Sequence, residues 1–133
     1  MSPLAPELRW LAYACVIGFV HLAVQATTMT LRQGIGWNVG ARDGAPRPEG
    51  ALDGRAARAL RNFLETFPLF AALALALVAA GRSGGAGAHG AALYVWARAA
   101  YVPIYLLGVP VLRTVVYGVS IAGLLAMLGA LLA

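Results

Sequence analysis

Residues 55–80, RAARALRNFLETFPLFAALALALVAA, carry the strongest structural signal in the sequence. The segment opens with the polar, helix-forming run RAARALRN and continues apolar from Phe63 through Ala80. A helix rises roughly 1.5 Å per residue, so about 20 such residues cross the hydrocarbon core of a bilayer. The segment therefore predicts a helix that enters a membrane with charged side chains on its first turns.

Three further apolar segments predict an all-α membrane protein, a four-transmembrane-helix bundle that forms a single domain over residues 1–133. The predicted spans cover about 10–31, 55–80, 91–107 and 113–133. Glycine and proline content predicts a loop over 32–54, a flexible turn over 81–90 (GRSGGAGAHG) and a tight turn over 108–112. Asp53 is expected to cap the second spanning helix, which would begin near Gly54 or Arg55.

The composition supports this class, since 61% of the residues are apolar, 11% are charged and the mean hydropathy is +0.77. These values exclude a disordered chain, and a soluble globule would expose too much apolar surface. Cys15 is the single cysteine, which excludes a disulfide scaffold. Ten arginines against five acidic residues give a net charge of +5, and the arginines form no basic run. We therefore expect no nucleic-acid partner and favour an anionic ligand or an anionic lipid surface.

The distribution of arginines predicts the orientation in the membrane. With four spans, the first and third connections share one side of the bilayer, and that side holds seven arginines against two on the other. By the positive-inside rule the seven-arginine side is cytoplasmic and both termini lie outside. We expect a multi-pass integral membrane protein, in the cell inner membrane if the source is bacterial.

Polar side chains recur at helical spacing within all four spans. In the second span they occupy an arc of about 120°, and hydrocarbon would reject such a charged face, so it must meet protein or a water-filled cavity. The four stripes are Arg55, Arg58, Arg61, Asn62 and Glu65; Arg98, Tyr101 and Tyr105; Arg113, Thr114 and Tyr117; and His21, Gln25, Thr28 and Arg32. Together they predict a pocket for a polar, anionic molecule, because guanidinium groups bind carboxylates in forked geometry.

Simpler structural roles are also consistent with these spacings. Arg61 lies at the mouth of the helix and can extend to lipid phosphates, while Arg58 and Glu65 can form an ion pair between helices. His21 and Gln25 are expected to form interhelical hydrogen bonds. The aromatic side chains Trp10, Tyr94 and Trp96 fit an interfacial belt and are assigned no chemistry.

The run from Arg55 to Phe70 resembles the signature of the MAPEG family, the membrane-associated proteins of eicosanoid and glutathione metabolism. The family pattern R-x-x-R-A-x-x-N-x-x-E-x-x-P-[LF]-F is met at its fixed positions by Arg55, Arg58, Ala59, Asn62, Glu65, Pro68 and Phe70. The resemblance continues with Arg98, Tyr101 and Tyr105 in the third span and with Arg113, Thr114 and Tyr117 in the fourth.

The resemblance implies a homotrimer that binds glutathione, as cosubstrate, between adjacent subunits near the cytoplasmic side. Arg58, Asn62 and Glu65 would contact glutathione, and Arg113 would lie beside its sulfur as the catalytic residue. The other glutathione-binding positions would be Tyr101, Tyr105, Arg55, Arg98 and Arg32. A small hydrophobic substrate would reach the site from the membrane lipids.

The expected activity is that of a glutathione transferase or peroxidase, in which Arg113 stabilises the thiolate of glutathione. The chain would supply no nucleophile of its own, and no metal site is expected from two histidines and one cysteine. A non-catalytic lipid- or ligand-binding protein of the same fold is the alternative. A four-span efflux transporter ranks last, because such exporters place an intramembrane acid in the first span, whereas Glu65 lies in the second.

Overall fold

The computed structural model describes residues 4–133, which are helical apart from the connections. The helices are α1 (Pro6–Gln33), α2 (Ile35–Val39), α3 (Ala51–Ala79), α4 (Gly85–Leu107) and α5 (Pro110–Leu132). Helices α1, α3, α4 and α5 are long and apolar enough to cross a membrane. The predicted fold class, an all-α bundle of four membrane-spanning helices, is confirmed.

Helices α3 and α4 form the middle of the bundle. Helix α1 packs against α3 and α4, and α5 packs most extensively against α4 and also contacts α3. The core lies between the halves of these helices that are remote from Arg55, where Phe70 stacks on Tyr94 with ring centroids 4.3 Å apart. Leu77 and Met127 are fully buried in the same cluster, while many large apolar side chains remain exposed, as a lipid-facing surface requires.

Helices α4 and α5 approach each other closely at Gly90 and Gly123. A Cβ atom on Gly90 would lie 2.7 Å from the carbonyl oxygen of Gly123, and one on Gly123 would lie 2.7 Å from the carbonyl oxygen of Gly90. Small residues allow membrane helices to gain contact between their backbones, where no hydrophobic effect drives association. These two glycines therefore set the separation of α4 and α5.

Substituting Gly123 with alanine is expected to lower the free energy of unfolding by about 1–3 kcal/mol, because the added methyl group must separate two packed backbones. Gly118, on the same helix, is the matched control, because among residues 4–133 no atom beyond its chain neighbours and the local backbone of α5 lies within 4 Å of the place that an added methyl group would take. Gly118→Ala is expected to be neutral or to stabilise by up to about 1 kcal/mol through helix propensity. Thermal unfolding in detergent measures both effects, and equal midpoints for the two variants would contradict this packing role.

Glu7 links α1 to the α3–α4 connection at the end of the bundle opposite to Arg55. Its carboxylate is fully buried and accepts a hydrogen bond of 2.6 Å from the Ser83 hydroxyl and one of 2.8 Å from the Gly84 backbone N–H. Beside it, Arg82 donates to the carbonyl oxygen of Leu131 at 2.9 Å. These bonds tie the start of α1 and the end of α5 to the α3–α4 connection.

The turn predicted over residues 81–90 is shorter in the structure, because α4 already begins at Gly85. Gly87 and Gly90 are buried in helical contacts with Leu77 and with Gly123. Their lack of a side chain serves close packing here rather than flexibility.

The other helix boundaries also differ from the sequence predictions. Helix α3 begins at Ala51 after Gly50, with no side-chain cap, and Asp53 lies inside its first turn, where a negative charge still favours the helix dipole. The loop predicted over 32–54 contains the short helix α2. Helix α5 begins with Pro110, a residue suited to a first helical turn, so the predicted turn over 108–112 is confined to its first residues.

Candidate functional site

The buried guanidinium of Arg98, on α4, organises the polar centre of the bundle. Arg98 is fully buried and donates hydrogen bonds of 2.6 Å to Oδ1 of Asn62 and of 2.6 Å to Oγ1 of Thr66, both on α3. The Thr66 hydroxyl lies 3.0 Å from the Tyr94 hydroxyl. A buried cation is costly at membrane depth unless its donors are satisfied, and this network satisfies two of its three nitrogens.

Aromatic rings rather than a carboxylate surround this cation. The guanidinium carbon of Arg98 lies 5.5, 5.4 and 5.2 Å from the ring centroids of Tyr94, Tyr101 and Tyr117, within the range of cation–π attraction. In residues 4–133, the ion pair within 4 Å is between Arg58 and Glu49, so Arg98 has no anionic partner there. The positive charge of Arg98 is consequently stabilised without being neutralised.

A series of cations and aromatic rings runs from this centre toward the arginine-rich end, defined here as the end of the bundle that carries Arg32, Arg55 and Arg113. Tyr101, beneath Arg98, lies 5.3 Å from the ring of Tyr105, and Arg113 on α5 lies 5.3 Å from the Tyr105 centroid. Arg98 is buried, whereas Arg113 is exposed. The structure thus brings together the predicted arginines and tyrosines of the third and fourth spans, whereas Thr114 is exposed and donates to the carbonyl oxygen of Pro110 at 3.2 Å.

The polar residues of α3 face two directions, toward α4 and toward the outer surface of the chain. Asn62 is partly exposed and bonds Arg98, whereas Arg58, Arg61 and Glu65 are exposed on the outer surface of the single chain. Arg58 pairs at 3.4 Å with Glu49 from the preceding loop, and not with Glu65. Glu65 lies just inside the apolar part of the span, so its exposed carboxylate needs a partner other than lipid.

Glu65 borders an open groove between α1 and α3. This groove has a volume of about 500 Å³ and is lined by Gln25, Ala57, Leu60, Arg61, Leu64 and Glu65. A neighbouring hollow of about 380 Å³ shares Gln25 and Ala57 and extends along α1 to Trp37. The two hollows form a surface with acidic, basic and amide groups that leads from the membrane interior to the arginine-rich end.

Arg55 and Arg32 bind carbonyl oxygens of the chain itself. Arg55 donates to the carbonyl oxygen of Leu106 at 3.1 Å and packs on Gly108, whose φ of 75° ends α4 in the left-handed region. Arg32 donates to the carbonyl oxygen of Pro48 at 2.9 Å. In this single chain the two arginines therefore stabilise the connections that follow α1 and α4.

Thr66 and Tyr94 belong to the polar centre around Arg98, although neither was predicted as a site residue. Tyr94 is fully buried and faces Thr66, so its assignment to an interfacial belt is wrong. Thr66 follows Asn62 by four residues and Tyr94 precedes Arg98 by four. Residues at this spacing share a helix face, so the sequence could have placed both beside the predicted site residues.

His21 and Gln25 do not form the interhelical hydrogen bonds that were expected. His21 is buried against Phe63 with ring centroids 5.0 Å apart, and its Nε2 has no hydrogen-bond partner in the described part of the chain. Gln25 contacts the sulfur of Met29 on its own helix. Aromatic packing, rather than hydrogen bonding, accounts for the position of His21.

Comparison with known proteins places this arrangement in a family. A sequence model of the MAPEG family matches residues 10–133, essentially the whole chain, and members of that family include glutathione transferases, peroxidases and eicosanoid synthases. Searches against curated proteins and against solved structures gave no match. The family match and the four apolar helices support an integral, multi-pass membrane protein. Since the match covers all four of these helices, the chain belongs to the MAPEG family.

Proposed function

We propose that the protein is a glutathione-dependent transferase or peroxidase that acts on small hydrophobic electrophiles dissolved in the membrane. Membership of the MAPEG family supports this class of activity. The observation that carries the proposal is the exposed guanidinium of Arg113, which lies on the ring of Tyr105 at the end of the series that begins at Arg98. A fixed cation with an accessible face is suited to an anionic thiolate.

The proposed glutathione site uses both polar regions of the bundle. Glutathione carries two carboxylates and an ammonium group, so its recognition requires cations together with at least one acid. Arg58 and Asn62 would bind carboxylate or carbonyl oxygens, Glu65 would bind the ammonium group, and Arg113 would face the sulfur. The supporting residues are Tyr101, Tyr105, Arg55, Arg98 and Arg32, of which Arg98 would act from within the bundle.

A homotrimer is proposed because the outer face of α3 is incomplete in one chain. Arg58, Arg61 and Glu65 are exposed although Glu65 lies within the apolar span. Such groups face protein or a water-filled cavity in a membrane, so a neighbouring subunit would cover this face. MAPEG proteins are typically trimers, and glutathione would then lie between adjacent subunits, on the side proposed as cytoplasmic.

The proposed chemistry needs no nucleophile from the protein. The Arg113 guanidinium stabilises the thiolate relative to the thiol, and the thiol proton passes to solvent. In conjugation with a chlorinated nitrobenzene, a carbon–sulfur bond forms and chloride leaves. In peroxide reduction, two glutathione molecules supply the two electrons, and the products are glutathione disulfide, an alcohol and water. The site holds the thiolate beside the bilayer that contains the second reactant, which supplies proximity.

Calorimetric titration of the detergent-purified protein with glutathione tests the proposal, together with assays of conjugation and of hydroperoxide reduction. We expect saturable glutathione binding and at least one of the two activities above the uncatalysed rate. Absence of glutathione binding would overturn the proposal. Binding without either activity would favour a non-catalytic ligand-binding protein of the same fold.

A further inference from the structure

We propose that Arg98 is a positioning residue, which holds the side-chain amide of Asn62 so that its N–H donors face a carboxylate or carbonyl oxygen of the thiol ligand. This inference rests on the proposed function, because it assigns the orientation of one group in the glutathione site. It is carried by the 2.6 Å hydrogen bond from Arg98 to Oδ1 of Asn62.

The polarity of this contact fixes the amide in one orientation. A guanidinium group has donors only, so the Asn62 atom that faces Arg98 must be the amide oxygen. The amide nitrogen then lies on the other side of the group. Within residues 4–133 this nitrogen donates no hydrogen bond, and Asn62 is partly exposed. The accessible part of Asn62 is therefore a donor pair, which selects an acceptor on the ligand.

Arg98 itself is withdrawn from the surface. It is fully buried, its two terminal nitrogens bond Asn62 and Thr66, and three tyrosine rings pack around the guanidinium. Burial therefore prevents direct contact between Arg98 and a ligand, and its hydrogen bonds act on a ligand through the groups that they hold. Of its two hydrogen-bond partners, Thr66 is buried and Asn62 is the one that reaches the surface.

The position of the guanidinium is fixed before any ligand arrives. Thr66 accepts from the second terminal nitrogen, and the Thr66 hydroxyl is itself held at 3.0 Å by Tyr94. Orientation in advance reduces the conformational entropy that a ligand must remove when it binds. A loss of Arg98 should therefore weaken glutathione binding even though Asn62 is still present.

A double-mutant cycle measured by calorimetric titration with glutathione tests this coupling. Arg98→Met is expected to raise the dissociation constant about tenfold, the loss typical of one charge-assisted hydrogen bond. In an Asn62→Ala background, the same substitution should change the constant by no more than about twofold. Equal losses in both backgrounds would show that Arg98 acts independently of Asn62 and would overturn the inference.

Asn62→Asp provides a second test, which does not depend on the stability of the Arg98 variant. The carboxylate can still accept the hydrogen bond from Arg98, so the thermal midpoint should be maintained or raised. The outward donors are replaced by an acceptor oxygen, so glutathione binding should weaken at least about tenfold. Binding as tight as that of the wild type would overturn the inference.

Ser83→Ala is the matched control for stability. It removes a hydrogen bond to Glu7 at the opposite end of the bundle and should lower the thermal midpoint without changing the dissociation constant for glutathione. If it weakens binding as much as Arg98→Met does, Arg98 is merely structural and the inference fails. If the wild type does not bind glutathione, the proposed function fails with it. If the wild type binds glutathione and Asn62→Asp binds it equally tightly, only the positioning role of Arg98 is overturned.

Discussion

Replacing Arg113 with alanine should lower the rate of glutathione conjugation about 100-fold near pH 6.5, the loss typical of removing one group that stabilises a reacting anion. The guanidinium favours the thiolate over the thiol and so lowers the pKa of bound glutathione. Without it, the thiol should ionise near its free value of about pH 8.5. The inflection in the plot of conjugation rate against pH should therefore move to higher pH in the variant. The difference in rate between the variant and the wild type should become smaller as the pH rises.

The measurement is the pH profile of conjugation, corrected for the uncatalysed reaction at each pH. Arg113→Lys keeps the positive charge and should retain part of the rate at low pH. Arg82→Ala is the matched control, since Arg82 bonds the carbonyl oxygen of Leu131 at the opposite end of the bundle. An Arg113→Ala profile that coincides with the wild-type profile would remove the assigned role.

Tyr105 allows a separate test of how Arg113 is held. The ring of Tyr105 lies 5.3 Å from the Arg113 guanidinium carbon, and Tyr105→Phe preserves that ring whereas Tyr105→Leu removes it. The leucine variant should shift the pH profile in the same direction as Arg113→Ala, but by less, because the charge is still present. The phenylalanine variant should resemble the wild type at low pH. Identical profiles for both variants would contradict a positioning effect of the ring.

Substituting Glu65 with glutamine should weaken glutathione binding about 30-fold or more, as expected when one member of a desolvated charge pair is removed. Glu65 is the acid that the structure exposes within the apolar part of α3, beside the groove that Gln25 and Arg61 line. The substitution keeps the size of the side chain, so the loss reports the missing negative charge toward the ligand ammonium group.

Calorimetric titration measures this loss, and Asp43→Asn is the matched control because it removes the same charge from an exposed loop. Unchanged glutathione affinity in Glu65→Gln would contradict the assignment.

The same variant tests the efflux alternative, in which an intramembrane acid carries protons. We expect wild-type proteoliposomes to show no proton-coupled dye flux beyond protein-free vesicles. A flux that Glu65→Gln abolishes would favour a transporter.

Helical spacing predicted which residue types share a face but not which neighbour each of them meets. Arg58 and Glu65 were interpreted as a possible ion pair with each other. In the structure Arg58 instead pairs with the carboxylate of Glu49, from the preceding loop. Asn62 lies on the same stripe and turns to Arg98 instead. Only three or four residues along α3 separate Asn62, which contacts α4, from Glu65 and Arg58 on the outer surface, and composition does not encode the position of α4.

Local sequence patterns predicted the membrane class, the four spans and the set of polar residues at membrane depth, because hydropathy and helix rise depend on local composition alone. The packing of the helices, by contrast, explains why residues 85–90 form the first turns of α4, since the nearness of Gly123 gives Gly90 a role in the contact between α4 and α5. It also decided that Arg98 is enclosed by tyrosines and bonded to Asn62. These contacts join residues distant in the chain, so they depend on how the helices are rotated and packed, which no local pattern specifies.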